Sequence, residues 1–213
     1  MKIGILGSGD VAKSLGVGLL AHRHEVMMGT REPNKLSEWQ KSSAPKAGTS
    51  SFREAAAWAE AVVLAVKGSA ASAVLEAVGA PALAQKVVMD ATNPIADAPP
   101  ANGIVRFFTG PNESLMERLQ TQMPKARFVK AFSCVGHALM VDPKLGARPS
   151  MFICGNDQSA KKTVTGLLEQ LGWEAEDVGM AEGARAIEPL CMLWCAPGFL
   201  RNDWAHAFMV LRA

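Results

Sequence analysis

Lys2-Ile3-Gly4-Ile5-Leu6-Gly7-Ser8-Gly9-Asp10-Val11-Ala12 decides how the rest of the chain is read. Lys2 to Leu6 is a short strand-like run, and from Val11 to about Ala21 the apolar residues take helical spacing. A strand that leaves a glycine turn as a helix opens a βαβ unit. Within the turn, Gly7-x-Gly9-x-x-Ala12 has a spacing with specific mechanics. Gly7 permits the tight turn, Gly9 keeps a Cβ out of the path of a pyrophosphate, and the small Ala12 lets the helix pack close to the strands. The helix amino terminus adds free N–H groups and partial positive charge. Gly7, Ser8, Gly9, Asp10 and Val11 are therefore expected to hold a dinucleotide.

Outward from this turn, strand and helix alternate. His24–Met28 reads as a second strand, Ala61–Val66 as a continuously apolar one covered on both faces, and Ala71, Val74, Leu75 and Val78 as one face of a helix. Lys86–Met89, Phe128–Phe132, Met151–Cys154 and Trp173–Val178 supply further strands, with helices over Ser114–Met123 and around Val164, Leu167, Leu168 and Leu171. Pro99-Pro100 and Asn102-Gly103 make Ala96–Gly110 a surface loop. The pattern predicts an α/β Rossmann-like fold, doubly wound around a mostly parallel sheet, over residues 1–180. A helical extension follows over 181–213, with Ile187, Leu190, Cys191 and Trp194 on one helix and Trp204 and Phe208 on a second after Pro197-Gly198. These large apolar side chains need a surface to bury against, which is the sheet domain, a partner subunit or both, and a homodimer is the expected assembly.

The end of the second strand bears on which dinucleotide. Val26-Met27-Met28-Gly29-Thr30-Arg31 carries no carboxylate at the strand end to accept from an unphosphorylated ribose. Thr30, Arg31 and, four residues on, Lys35 offer donors to a 2′-phosphate, which favours NADP(H) over NAD(H). Two more strand ends should face the cofactor, Ala65-Val66-Lys67-Gly68 and Asp90-Ala91-Thr92-Asn93-Pro94. Their small residues leave room, and Asn93 can hydrogen-bond a ribose or a carboxamide. Lys67 reads equally as a phosphate contact or a surface lysine.

Composition narrows the classes further. The chain has 213 residues, 22 Lys and Arg against 20 Asp and Glu, 49% hydrophobic and 20% charged residues. That is the make-up of a folded domain, and a net charge of +2 leaves no electrostatic footprint for nucleic acid or a membrane surface. The four cysteines lack disulfide or zinc spacing, and no apolar run approaches the ~20 residues of a membrane helix. A cytoplasmic protein with reduced thiols and no bound metal is expected.

The opening motif, the Gly29-Thr30-Arg31 strand end, Ala131-Phe132-Ser133-Cys134-Val135, Phe152-Ile153-Cys154-Gly155-Asn156-Asp157 and Gly183-Ala184-Arg185-Ala186-Ile187-Glu188-Pro189-Leu190 together resemble the coenzyme F420-dependent NADP oxidoreductases. That family also includes the cytosolic reductase domains of eukaryotic membrane metalloreductases. The resemblance spans essentially the whole chain. It implies hydride transfer between NADP(H) and a flavin or deazaflavin ring, with rings rather than side chains carrying the chemistry. It also implies cofactor contacts from Gly68, Ser72 and His137. His137 is the one catalytic candidate, as a hydrogen-bond donor beside the nicotinamide, against a purely structural place in a turn. The chain departs from the archaeal deazaflavin enzymes at Ser133, where those carry histidine, and at Val135-Gly136-His137, where those carry Ile-Pro-Ala. The half of the site for the second ring is thus altered, and the acceptor is a flavin, F420 or a small organic molecule; Met180, Trp194 and Phe199 are candidates to line it. A non-catalytic NADP(H) sensor is the competing function.

Overall fold

A computed structural model describes residues 1–213. The chain runs β1 (Lys2–Leu6), α1 (Asp10–Ala21), β2 (Glu25–Gly29), α2 (Ser37–Ser43), β3 (Gly48–Ser50), α3 (Phe52–Trp58), β4 (Ala61–Leu64), α4 (Gly68–Val78), α5 (Ala80–Leu83) and β5 (Val87–Asp90). It continues through α6 (Leu115–Gln122), β6 (Arg127–Lys130), β7 (Ser150–Ile153), α7 (Gln158–Gln170), β8 (Glu174–Asp177), α8 (Ala184–Ile187) and α9 (Leu190–Arg201). Six strands form one parallel sheet in the order β3-β2-β1-β4-β5-β6. This is the doubly wound order whose reversal between β1 and β4 opens a crevice at the carboxyl ends of the strands. β7 and β8 make a separate parallel pair, tied to the large sheet by a bridge between Lys130 and Cys154.

The two faces of the sheet carry two cores. Leu15, Leu19 and the α7 residues Val164, Leu167 and Leu168 cover one face, and Ala55, Ala71, Leu75, Leu115 and Leu119 cover the other. All four residues of β4 are buried, as its unbroken apolar run requires of a strand covered on both sides. Side-chain caps set several helix starts. Ser51 with Glu54, and Ser114 with Glu117, form reciprocal capping boxes, and Asp157 accepts from the Ala160 N–H at 2.8 Å.

The tail departs from expectation. α9 runs through Pro197-Gly198 to Arg201, where Asn202 in the left-handed region (φ 57°) ends it. No second helix follows. Residues 203–213 instead run without a helix, meeting β7 where Phe208 O accepts from Ser150 N at 2.9 Å and Val210 N donates to Ser150 Oγ at 3.0 Å. Trp204 packs directly on Gly198, where an added Cβ would stand 2.2 Å from its ring. The four-residue spacing of Trp204 and Phe208 therefore marks two separate docking points. No helix is long and apolar enough to cross a membrane.

Candidate functional site

The carboxyl ends of β1, β2, β4 and β5 border a trough made of two joined cavities. The larger, about 740 Å³, is lined by Gly9, Asp10, Val11, Ala65, Val66, Lys67, Gly68, Ala91 and Asn93 and closed by Ile95–Pro99. The smaller, about 380 Å³, takes in Gly7, Ser8, Thr30, Arg31, Glu32 and Lys35, and shares Gly9, Ala65, Val66 and Lys67 with the first. The two cavities meet between the loop after β4 and Gly9 at the mouth of α1, where the first-turn N–H groups of Asp10, Val11 and Ala12 have no intrahelical acceptor.

The glycines divide the work. Gly7 has φ +146°, and a Cβ there would stand 2.1 Å from the carbonyl oxygen of Ala65, so the turn itself forbids a side chain. Gly68 is equally tight, with the Asn93 oxygen 2.0 Å from its ideal Cβ. Gly9 is different: it faces open space, with nothing within 4 Å of an added Cβ. Its lack of a side chain serves nothing in the fold and leaves the mouth of the helix clear. An anionic phosphate fits that opening.

Farther along, Asn93 Nδ2 donates to Ser133 O at 3.3 Å, while Asn93 Oδ1 and Ser133 Oγ are buried without a hydrogen-bond partner. A buried acceptor left unpaired costs about 1–3 kcal/mol. Asn93 lines the larger cavity, and an amide or hydroxyl donor brought to it would satisfy Oδ1. Pro94 is buried below it, its carbonyl accepting from Phe108 N at 2.9 Å and fixing one side of the cleft wall. The wall is a hairpin: Ala101 and Ile104 exchange backbone hydrogen bonds around Asn102 (φ 51°) and Gly103 (φ 80°), the positive pair that a two-residue turn of this kind needs.

Other candidate residues fall elsewhere. Ser72 is exposed on α4 and borders a separate cavity with Phe108 and Arg118. His137 is exposed at the start of a short 3-10 turn, His137–Leu139, and lines neither part of the trough. Met180, Trp194 and Phe199 also lie outside it. Trp194 packs on Gly136, where a Cβ would come within 2.4 Å of the indole, and stacks on His206 with ring centroids 5.2 Å apart. Leu200 packs on Gly103. α9 thus braces the cleft wall from behind at one point and the Gly136 turn at another.

At the β2 end of the trough the charge differs from the reading of the strand alone. Glu32, one residue beyond Arg31, lines the same cavity, and its Oε1 accepts from Lys35 Nζ at 2.9 Å. The site is therefore not free of a repelling carboxylate. Glu32 escapes notice because it lies past the strand end where the acid usually stands. At the other end Lys67 is exposed, 3.9 Å from Asp97 of the cleft wall.

Asp90, at the end of β5, faces away from the trough. It contacts the fully buried Lys130 Nζ at 2.7 Å, and Lys130 also donates to Glu188 Oε1 at 2.9 Å and to Thr92 O at 2.8 Å. Glu188 in turn accepts from the Leu115 and Met116 N–H groups at 2.9 and 3.1 Å, capping α6 from 73 residues away. Burial works against the lysine charge, but Asp90 and Glu188 outweigh it and hold its pKa above the ordinary lysine value. The cysteines are all free, and burial pushes the Cys134 and Cys154 thiols up to about 12. No group of three or more His, Cys, Asp or Glu is arranged to hold a metal ion.

A doubly wound parallel sheet with a glycine turn at its crevice defines a dinucleotide-binding α/β protein. A family described as "NADP oxidoreductase coenzyme F420-dependent" matches residues 2–94. A crystal structure from Arthrobacter sp. FB24, described as a "putative f420 dependent nadp-reductase", is 33% identical, covers all of both chains and superposes with a TM-score of 0.92. The F420-dependent NADP reductase of Methanocaldococcus jannaschii is 29% identical over 91% of this chain and 90% of its own. The metalloreductase STEAP3 of Rattus norvegicus is 31% identical over 93% of this chain, which spans only 39% of that protein. The chain belongs to the coenzyme F420-dependent NADP oxidoreductase family and is an NADP-dependent oxidoreductase.

Proposed function

We propose that the trough holds NADP(H) along its length, with the 2′-phosphate at Thr30, Arg31 and Lys35, the pyrophosphate at Gly7–Val11, and the nicotinamide near Ala65, Val66, Gly68, Asn93 and Pro94. The observation that carries the reading is Gly9, whose missing side chain opens the mouth of α1 and serves no packing purpose. Bound there, the cofactor supplies the hydride. The chain's own task is to orient it. The first-turn N–H groups of α1 and the Arg31 guanidinium fix the phosphates, and Asn93 Oδ1 sets the rotation of the far end. The hairpin Ala101–Ile104 and α9 keep the cleft wall in place. We take residues 1–180 as the NADP-binding part and 181–213 as the part that shapes the acceptor side. The exposed Leu193, Phe199, Leu200 and Leu211 of that tail are where we place a second copy of the chain. We place the protein in the cytoplasm.

The acceptor we favour is a flat ring, a flavin or deazaflavin, taken up at the open side of the larger cavity, where His137 would act only from outside the cofactor's contacts. Anaerobic mixing with NADPH is expected to bleach F420, FMN or FAD. If none bleaches while simple carbonyls are reduced, the acceptor is a small organic molecule; tight NADPH binding with no turnover of either kind would support the sensor function instead. Cofactor choice has its own test. Titration followed by tryptophan fluorescence should give NADPH binding at least about tenfold tighter than NADH, and Arg31→Ala should remove most of the difference, as expected for loss of a charge-assisted contact of about 1.5–3 kcal/mol. Equal affinities in the wild type would refute the 2′-phosphate site.

A further inference from the structure

Three groups crowd the adenosine end of the trough, and only two of them suit a 2′-phosphate. Arg31 and Lys35 are cations; Glu32 between them is an anion that lines the same cavity and binds Lys35 Nζ at 2.9 Å. Its backbone is held in place from both sides. Glu32 N donates to Thr30 Oγ1 at 3.3 Å, and Glu32 O accepts from Lys35 N at 3.1 Å, closing a short turn over Pro33–Leu36 that is anchored by the fully buried Leu36. The turn fixes the Glu32 backbone beside the cavity, and the Lys35 ammonium is the partner of its carboxylate there.

We infer that Glu32 is a specificity-determining residue that narrows the preference for NADP(H) and keeps NAD(H) a usable ligand. The inference rests on the placement of the 2′-phosphate at Arg31 and Lys35. Two physical effects act together. A 2′-phosphate carries a charge near −2 and meets a cluster whose net charge is +1, two cations less one anion, with Lys35 already engaged. Binding it means breaking the Glu32–Lys35 pair or bearing the repulsion of the carboxylate. An unphosphorylated ribose presents hydroxyl donors instead, and a carboxylate about 20 residues after the glycine motif is the usual acceptor for them. Glu32 stands three residues past the end of β2, beyond the usual place of that acid, but the turn over Pro33–Leu36 keeps it on the lining of the same cavity. One side chain thus disfavours one cofactor and serves the other.

The pair is exposed on both sides, with 65% of the Lys35 and 60% of the Glu32 side chain accessible, so its removal leaves the core untouched. Dissociation constants for NADPH and NADH are measured on wild type, Glu32→Gln, Lys35→Met and the double variant. Glu32→Gln is expected to tighten NADPH about threefold to tenfold and to weaken NADH, widening their ratio. In the Lys35→Met background the tightening should shrink, because part of it comes from the lysine set free. An unchanged ratio in Glu32→Gln, or a parallel loss for both cofactors, overturns the inference. If instead the wild type does not prefer NADPH and Arg31→Ala changes nothing, the 2′-phosphate placement itself has failed. A wild type that prefers NADPH with a ratio indifferent to Glu32 refutes only the role of Glu32.

Discussion

Lys130→Met is expected to destabilise the fold by about 3–5 kcal/mol, the cost of leaving buried carboxylates without their cation. In a chain of this size that is a fall in Tm of roughly 10 °C, at 2–4 °C for each kcal/mol. Methionine nearly matches the volume of the lysine stem, so the loss would report charge rather than packing. Asp90 and Glu188 would face one another across a dry site, and Thr92 O would lose its donor. Glu188→Gln should cost less. It leaves one lysine with one aspartate, and the single amide oxygen can still accept from one of the two α6 N–H groups, although its NH2 then stands against the other donors. Thermal unfolding of both variants decides the matter: a Glu188→Gln fall equal to or larger than that of Lys130→Met would mean that the cap on α6, and not charge balance, is what holds the network.

Gly9→Asp is expected to abolish useful NADPH binding, by on the order of 100-fold or about 2.7 kcal/mol, without lowering Tm. Gly9 is the N-cap of α1, in an extended conformation (φ −81°, ψ −177°) that any residue adopts, and its position opens into space. Aspartate is a preferred N-cap and its charge suits the helix amino terminus, so folding gains or is unaffected. The same carboxylate would take the donors that a pyrophosphate needs and repel it. Binding within threefold of wild type would remove the phosphate site from the mouth of α1. The neighbouring Gly7 offers no such test, because its φ of +146° and the Ala65 oxygen make any side chain a folding defect.

Five of the six strands of the sheet, β1, β2, β4, β5 and β6, were legible in the sequence because short apolar runs mark them. Residues 37–58 were not: α2, β3 and α3 are short, and their polar and alanine-rich sequence has no strong period. Pro197-Gly198 signalled a break that the helix passes over, since Trp204 folds back on Gly198 and holds it in place. At the trough, residues fixed by backbone needs were readable from spacing, whereas side-chain direction was not. Asp90 belongs to a strand end that faces the trough yet turns to Lys130, and the spacing of Ser72 and His137 says nothing of the surfaces they occupy. Glu32 shows the complementary difficulty: a charge just beyond an element is assigned by the path of the turn.

The contact between Glu188 and α6 also sets an order of events during synthesis. A chain emerging from the ribosome with its amino terminus first can pair β1 to β6 as soon as Lys130 is available, and Asp90 then gives that lysine one counter-ion. Until Glu188 arrives, 73 residues after Leu115, the Leu115 and Met116 N–H groups lack their acceptor and the second carboxylate is missing. The α6 side of the nascent sheet therefore remains unsealed until Glu188 has been made. A ribosome stalled before residue 188 would hold a protein with its strands in place and a polar gap beneath α6, a natural target for chaperones.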